Sequence, residues 1–285
     1  MTRMSIRHQT RYLYGQPVRF GVQRMLLRPR DSHAGRIISA TLELFPAGRT
    51  SWTYDALGNC VCWFQPQGES TELEIISNLV LDRFPAQPVG LAIQDPRTAA
   101  PIQYPLADRA VLTPFITPTS ESDPRVLDWV QERMGQPDEP VLDFLIRLNS
   151  SIHQGFVYGE RQELGVQSPA ETLARGCGTC RDFAWLMIET LRFLGYAARF
   201  VTGYLHSPNA DHAGAGATHA WCEVFLPDIG WIEFDPTNGL MESPDLVRVA
   251  TTRTPAEASP VLGTIVGDPH TCEMLVAVDV RIIDP

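Results

Sequence analysis

The chain has 285 residues, of which 44% are hydrophobic and 20% are charged, a balance typical of folded globular domains and not of disordered or fibrous chains. This length is long for one compact domain and predicts two. The formal net charge of −10 and the lack of any run of Lys or Arg in the sequence disfavour a protein that binds nucleic acid through its phosphates.

The amino-terminal sequence MTRMSIRHQTRYLYG alternates polar and apolar side chains and contains no continuous apolar run. It therefore predicts neither a secretory signal nor a membrane anchor, so we expect a cytoplasmic protein without a membrane partner. In that compartment the six cysteines are expected to be thiols, and their even number is no evidence for disulfides.

Residues 1–92 are predicted to form a β-rich, sandwich-like domain. A period-two alternation recurs in three stretches, 6–14, 38–44 and 71–81, and Gly58-Asn59 marks a turn before another strand. Six prolines between Ile93 and Pro124 then interrupt any periodicity. We interpret residues 93–123 as an extended proline-rich linker.

Residues 124–285 are predicted to form an α+β domain. Helices are expected after Asp123, from about Pro140 and after Ser168. Strands are expected at 196–205, 218–226 and 231–235, and a last strand over 274–282 could return to the amino-terminal domain.

The sequence RGCGTCRDFAW, residues 175–185, places two cysteines three positions apart just before a helix. Thr179 and Asp182 have the spacing of a capping box, so Thr179 is the predicted N-cap and Cys180 the first helical residue. Unpaired N–H groups and the helix dipole favour a thiolate there, which makes Cys180 a candidate nucleophile. A zinc site is disfavoured because no second cysteine or histidine pair has finger spacing, and a redox pair because the βαβ pattern is missing.

A thiolate nucleophile needs a base and a group that orients the base. His219 begins one predicted strand and Asp235 ends the next, each eight residues from Pro227. A hairpin that turns near Pro227 brings them roughly opposite each other. The register can differ from this by a few residues, because the turn spans residues 227–230. Cys180, His219 and Asp235 are therefore the predicted catalytic residues.

The segments GTCRDFAWLMIETLRFLGYAARFVTGYL and HAWCEVFLPDIGWIEFDPTNG resemble the core of the bacterial transglutaminase-like superfamily, whose members are often described as candidate cysteine proteases. HQTRYLYGQPV, LLRPR and DALGNCVCWF resemble the β-domain that precedes this core in many bacterial members. The resemblance implies a papain-like α+β core, with Cys180 as nucleophile, His219 as base and Asp235 as its partner. One departure is the segment TTRTPAEASPVLG, which lacks the Asp-Tyr that similar proteins carry there.

The remaining site predictions concern the surroundings of Cys180. Its backbone N–H is expected to provide half of an oxyanion hole, and Tyr158 or Gln162 the other half. Trp221 and Trp231 are expected to be core residues or walls of the cleft, and not specificity residues. No metal and no cofactor is expected.

The predicted reaction is acyl transfer from a peptide or protein amide through a thioester on Cys180. We expect water to resolve the thioester, as in a protease or amidase, because the sequence indicates no tunnel that would exclude water. Transglutaminase activity with an amine acceptor, peptide deglycosylation, and a non-catalytic protein that binds peptides or glycans are the alternatives.

Overall fold

The computed structural model describes residues 1–84, 102–119, 123–134, 139–159, 165–207, 213 and 216–284. The helices in these ranges are α1 (Leu106–Ile116), α2 (Pro124–Gln131), α3 (Val141–Gly155), α4 (Pro169–Arg175) and α5 (Cys180–Phe193). The strands are β1 (Thr2–Arg28), β2 (Gly35–Phe45), β3 (Gly48–Tyr54), β4 (Cys60–Pro66), β5 (Glu69–Arg83), β6 (Val157–Tyr158), β7 (Cys177–Gly178), β8 (Ala198–Leu205), β9 (His219–Leu226), β10 (Gly230–Asp235), β11 (Leu240–Met241), β12 (Leu246–Thr252), β13 (Val261–Val266) and β14 (Cys272–Ile283). Within the described ranges, no helix is both long enough and apolar enough to cross a membrane.

The amino-terminal part is a seven-stranded antiparallel sheet in the order β2-β5-β1-β4-β3, with β13 and β14 also paired to β1. Period-two alternation forms this sheet, since every second side chain of β5 from Leu73 to Leu81 is buried. The last strand runs along β1 from Arg3, opposite Ile283, to Tyr14, opposite Cys272. The carboxyl end of the chain is thereby part of the amino-terminal sheet.

The second sheet has the order β11-β10-β9-β8-β12, and α5 packs against it. Their buried apolar side chains form the largest core cluster, which includes Ile188 of α5, Phe200 of β8 and Phe234 of β10. A second cluster joins the two sheets, because Met4 and Ile6 of β1 pack with Tyr204 and Val247. The predicted fold class is confirmed: a β-rich amino-terminal part is followed by an α+β core.

Our prediction of an extended linker over residues 93–123 is wrong for residues 106–116, because these residues form α1. Leu112 and Phe115 of this helix are buried against Ala197, and the Phe115 carbonyl accepts a hydrogen bond of 3.1 Å from Arg192 Nε. These tertiary contacts outweigh the local cost of Pro114 near the end of the helix. The predicted boundary at 92/93 lies outside the described residues, and the three-part division of the chain stays a prediction.

Candidate active site

Cys180 is the first residue of α5, as the sequence predicted. Gly176, with φ of 65°, ends α4 in the left-handed conformation, and β7 then leads directly into the N-cap, Thr179. A Cβ on Gly178 would lie 2.9 Å from the Cβ of Asp182, so only glycine allows β7 to pass this close to the helix. The helix start therefore fixes the position of the Cys180 side chain.

Asp182 is fully buried, and its carboxylate accepts hydrogen bonds from residues that precede the helix. Its Oδ2 accepts hydrogen bonds from the backbone N and the Oγ1 of Thr179, at 2.8 and 2.9 Å. Its Oδ1 accepts one of 2.7 Å from the backbone N of Gln167. This confirms the capping relation that the spacing of Thr179 and Asp182 predicted.

The hairpin of β9 and β10 turns one residue later than we predicted. Leu226 pairs with Gly230 and Cys222 with Phe234, so the centre is Asp228, which has φ of 64°, instead of Pro227. A three-residue loop with a left-handed residue explains this centre. Asp235 is therefore offset by two residues from the position opposite His219, but both side chains project from the same face, where diagonal neighbours are within reach.

His219 and Asp235 form a buried hydrogen-bonded pair. The distance from His219 Nε2 to Asp235 Oδ2 is 2.8 Å, and the exposed fractions of the two residues are 1% and 0%. The other ring nitrogen of His219, Nδ1, is buried and has no aligned hydrogen bond to any described residue. Because Asp235 occupies Nε2, Nδ1 is the nitrogen that is left to face the thiol of Cys180.

The electrostatics of His219 link it to both neighbours. Burial lowers the pKa of His219, but the charge and hydrogen bond of Asp235 and the interaction with Cys180 together outweigh it. Together they raise the pKa of His219 to about 10. A protonated imidazole between a thiolate and a carboxylate is the charge arrangement that cysteine nucleophiles use.

Asp235 is held by more donors than His219 alone. Its Oδ1 accepts the backbone N–H of Thr237 at 2.9 Å, and its Oδ2 also accepts the side-chain amide of Asn238 at 2.9 Å. Burial raises the pKa of Asp235, but the charge of His219 and these hydrogen bonds outweigh it, so the pKa lies below its ordinary value. Our sequence analysis missed Asn238, although its place three residues after Asp235 in the turn was a usable signal.

The site is almost closed to solvent, since only 6% of Cys180 is exposed. A cavity of about 30 Å³ lies beside His219, and its polar lining includes Thr202, Thr218 and Ser259. A short 3₁₀ helix, Pro255–Ala258, forms another wall of this cavity. The middle of the segment TTRTPAEASPVLG, from Pro255 to Pro260, therefore lies next to the predicted base.

The predicted oxyanion-hole residues have different outcomes. The backbone N of Cys180 is at the first helical position, where helices leave N–H groups unpaired. Tyr158 lies in β6, which pairs in parallel with β7, so its backbone is beside Gly178, two residues before Cys180. Gln162 lies outside the described residues. The donor roles of Cys180 and Tyr158 stay predictions.

The two tryptophans differ: Trp221 lies in the core, one of the two predicted places, and Trp231 lines a cavity apart from Cys180. Trp221 is fully buried, and its ring stacks on His219 with centroids 6.0 Å apart and an interplanar angle of 29°. It supports the imidazole from within the core. Trp231 is four residues of extended strand, about 13 Å, from Asp235. It lines a separate cavity of about 1020 Å³ between the two sheets and stacks under Arg199.

The other cysteines differ from Cys180 in their surroundings. Cys222 is fully buried in the core of β9, and burial raises its pKa far above the ordinary value. Burial also raises the pKa of Cys62, to about 11. In the part of the chain that the structure describes, no group of three or more His, Cys, Asp or Glu could hold a metal ion.

Comparison with known proteins identifies the family. Residues 128–236 match the transglutaminase-like superfamily, and residues 4–82 match the bacterial transglutaminase-like N-terminal region. The chain belongs to the transglutaminase-like superfamily. Cys180, His219 and Asp235 all lie within the first matched region.

Relatives of this superfamily member align along nearly its full length. An uncharacterized protein of Mycobacterium tuberculosis H37Rv is 30% identical over 98% of this chain and 92% of its own. A second, from Mycobacterium leprae, is 26% identical over 94% of each chain. The crystal structure of a “Putative Cysteine Protease” from Cytophaga hutchinsonii has a TM-score of 0.76 at 20% identity and covers 100% of this chain and 91% of that one. This neighbour shares the fold.

Proposed function

We propose that the protein is a cysteine-dependent enzyme that transfers the acyl group of a peptide or protein amide through a thioester on Cys180. The observation that carries this proposal is the buried His219–Asp235 pair of 2.8 Å, which leaves one imidazole nitrogen for the thiol at the start of α5. A histidine that served only packing would not need a buried carboxylate and a helix-terminal thiol on either side.

The first half of the reaction forms the thioester. The thiolate of Cys180 attacks the amide carbonyl carbon, and the carbonyl π electrons move to oxygen. Protonated His219 then gives its proton to the leaving nitrogen as the C–N bond breaks and the carbonyl re-forms. Asp235 keeps the imidazole oriented throughout, since its Oδ2 holds Nε2.

Water resolves the thioester in the second half. Neutral His219 accepts a proton from a water molecule, whose oxygen attacks the thioester carbonyl, and the C–S bond breaks to release a carboxylic acid and the thiolate. The cavity of about 30 Å³ next to His219 supports this preference, because its volume has room for a water molecule and its lining includes threonine and serine side chains that could bind one. The word protease in the name of the Cytophaga hutchinsonii neighbour agrees with this reaction class.

A library of peptides and glutamine amides, incubated with and without a primary amine at millimolar concentration, tests the proposal. We expect release of free acid or ammonia at nearly the same total rate in both conditions, and no turnover by a folded Cys180→Ala variant. Amine incorporation that outcompetes hydrolysis would favour a transglutaminase instead. Turnover by Cys180→Ala would remove both, and binding without turnover by the wild type would favour a non-catalytic protein.

A further inference from the structure

The carboxamide of Asn238 connects two parts of the site that are distant in sequence. Its Nδ2 donates a hydrogen bond of 2.9 Å to Asp235 Oδ2, the same oxygen that His219 Nε2 contacts. Its Oδ1 accepts a hydrogen bond of 2.9 Å from the backbone N of Ala213, between β8 and β9. Asn238 therefore joins the carboxylate to the chain segment that leads into His219.

These two contacts define the orientation of the carboxamide. A rotation by 180° about the last side-chain bond would place the Asn238 oxygen against a carboxylate oxygen and the NH₂ group against the Ala213 N–H. Both contacts would then be repulsive, so the amide has one acceptable orientation. Aspartate in its place would keep an acceptor for Ala213 but turn a second carboxylate oxygen toward Asp235.

We propose that Asn238 is a positioning residue, which keeps the Asp235 carboxylate ionised and aimed at His219 and couples it to the backbone at Ala213. This inference rests on the proposed function of Cys180 and adds the group that keeps Asp235 ionised. Asp235 without the amide has one fewer donor for its negative charge, and it takes up a proton at higher pH. Protonated Asp235 no longer stabilises the imidazolium that faces Cys180.

Other groups near the carboxylate do not replace this contact. The titratable groups that face it among the described residues are His219 of β9 and, through His219, Cys180 of α5. His153 of α3 contacts the same turn, but its Nδ1 lies 2.8 Å from the carbonyl oxygen of Thr237 and not from the carboxylate. The side-chain amide of Asn238 is thus the one neutral side-chain donor that Asp235 has in the described part of the chain.

The test measures the rate of Cys180 alkylation by iodoacetamide from pH 5 to pH 9, using intact protein and mass spectrometry. We expect Asn238→Ala to slow alkylation most at the acid end of this range, by up to about tenfold, the typical effect of losing one hydrogen bond to a charged group, and to leave the rate at pH 9 unchanged. Asn238→Asp should shift the acid limb of the profile further toward high pH, because the new carboxylate shares a proton with Asp235.

Two sets of controls separate positioning from general damage. Asn78 of β5 also donates its amide to a carboxylate, that of Glu43 at 3.1 Å, so Asn78→Ala and Asn78→Asp should leave the profile unchanged. Ala213→Pro removes the N–H that Asn238 accepts, whereas Ala213→Gly keeps it. The proline variant should shift the acid limb in the same direction as Asn238→Ala but by less, and the glycine variant should not shift it.

The positioning role would be overturned if both Asn238 variants kept the acid limb at the wild-type pH. It would also be overturned if they slowed alkylation equally at every pH. Should the Asn238 variants fail to fold, the comparison of Ala213→Pro with Ala213→Gly decides alone. The wild type separates this inference from the proposed function. If its Cys180 reacts no faster than in His219→Ala, the proposed function fails, whereas His219-dependent alkylation with unshifted Asn238 profiles refutes only the role of Asn238.

Discussion

Replacing Asp235 by asparagine should reverse the charge state of His219 at neutral pH. The substitution keeps the size of the side chain and one oxygen for the hydrogen bonds from the turn, but it removes the negative charge. The charge of Asp235 is the largest of the causes that raise the pKa of His219. Without it, burial, the largest single cause, is opposed only by Cys180 and by the remaining hydrogen bond, so the pKa should fall toward or below its ordinary value of 6.5.

The size of the change follows from the two pKa values. The pKa of His219 is about 10 in the native site, against an ordinary value of 6.5. A fall of the pKa from about 10 to 6.5 corresponds to roughly 5 kcal/mol in the free energy of protonating His219, at about 1.4 kcal/mol for each pH unit. The wild-type imidazole should therefore be protonated from pH 6 to pH 8, and the imidazole of the variant should be neutral at pH 8.

NMR spectra of the histidine ring nitrogens, with His219 assigned by its loss in His219→Ala, measure this charge directly. Asp245→Asn is a matched control, because Asp245 lies 3.0 Å from another buried histidine, His206, and should leave the His219 signals unchanged. A His219 ring that stays protonated at pH 8 in Asp235→Asn would refute the reasoning, and so would a wild-type ring that is already neutral at pH 7.

Three further predictions concern other parts of the molecule. Cys180 should be the most reactive of the six cysteines toward limiting alkylating agent at mildly acid pH, and Cys222 should remain unlabelled in the native protein because it is fully buried; uniform labelling measured by mass spectrometry would contradict this. Limited proteolysis should cut first within residues 93–123 but spare α1, because Leu112 and Phe115 of this helix are buried. The fragments should stay associated through the pairing of β14 with β1. A first cut within residues 156–239 would count against this domain division. Burial and the glutamate opposite it on β9 raise the pKa of Glu233 from 4.5 to about 8, so the native state loses stability as pH rises through this window. Glu233→Gln should therefore raise Tm relative to wild type at pH 9 and not at pH 4, and an equal effect of the exposed-site control Glu273→Gln would argue against this cause.

Local signals in the sequence predicted the elements that carry the site. The alternation of side chains predicted β1, β2, β5 and β14 but not β3, β12 or β13, and the capping spacing of Thr179 and Asp182 predicted that Cys180 begins α5. Both signals are encoded within a few residues, so they can be read without knowledge of the tertiary structure.

Features that depend on tertiary contacts were missed. The prolines around α1 concealed a helix whose stability comes from packing against Ala197. The centre of the hairpin depends on a left-handed Asp228, a conformation that aspartate adopts only in some turns. The role of Asn238 was missed because its second partner, Ala213, is 25 residues away in the sequence, although its position three residues after Asp235 indicated the first partner.

The most direct test of the central claim is to trap the acyl-enzyme. Wild-type protein, quenched in acid during turnover of the glutamine-amide and peptide library, would be digested with trypsin, which cleaves after Arg175 and Arg181 to release GCGTCR. Tandem mass spectrometry of this peptide distinguishes the two cysteines. We predict an acyl adduct on Cys180 that is lost on treatment with hydroxylamine and does not form in His219→Ala. An adduct on Cys177, or turnover without any adduct in this peptide, would contradict a thioester on Cys180.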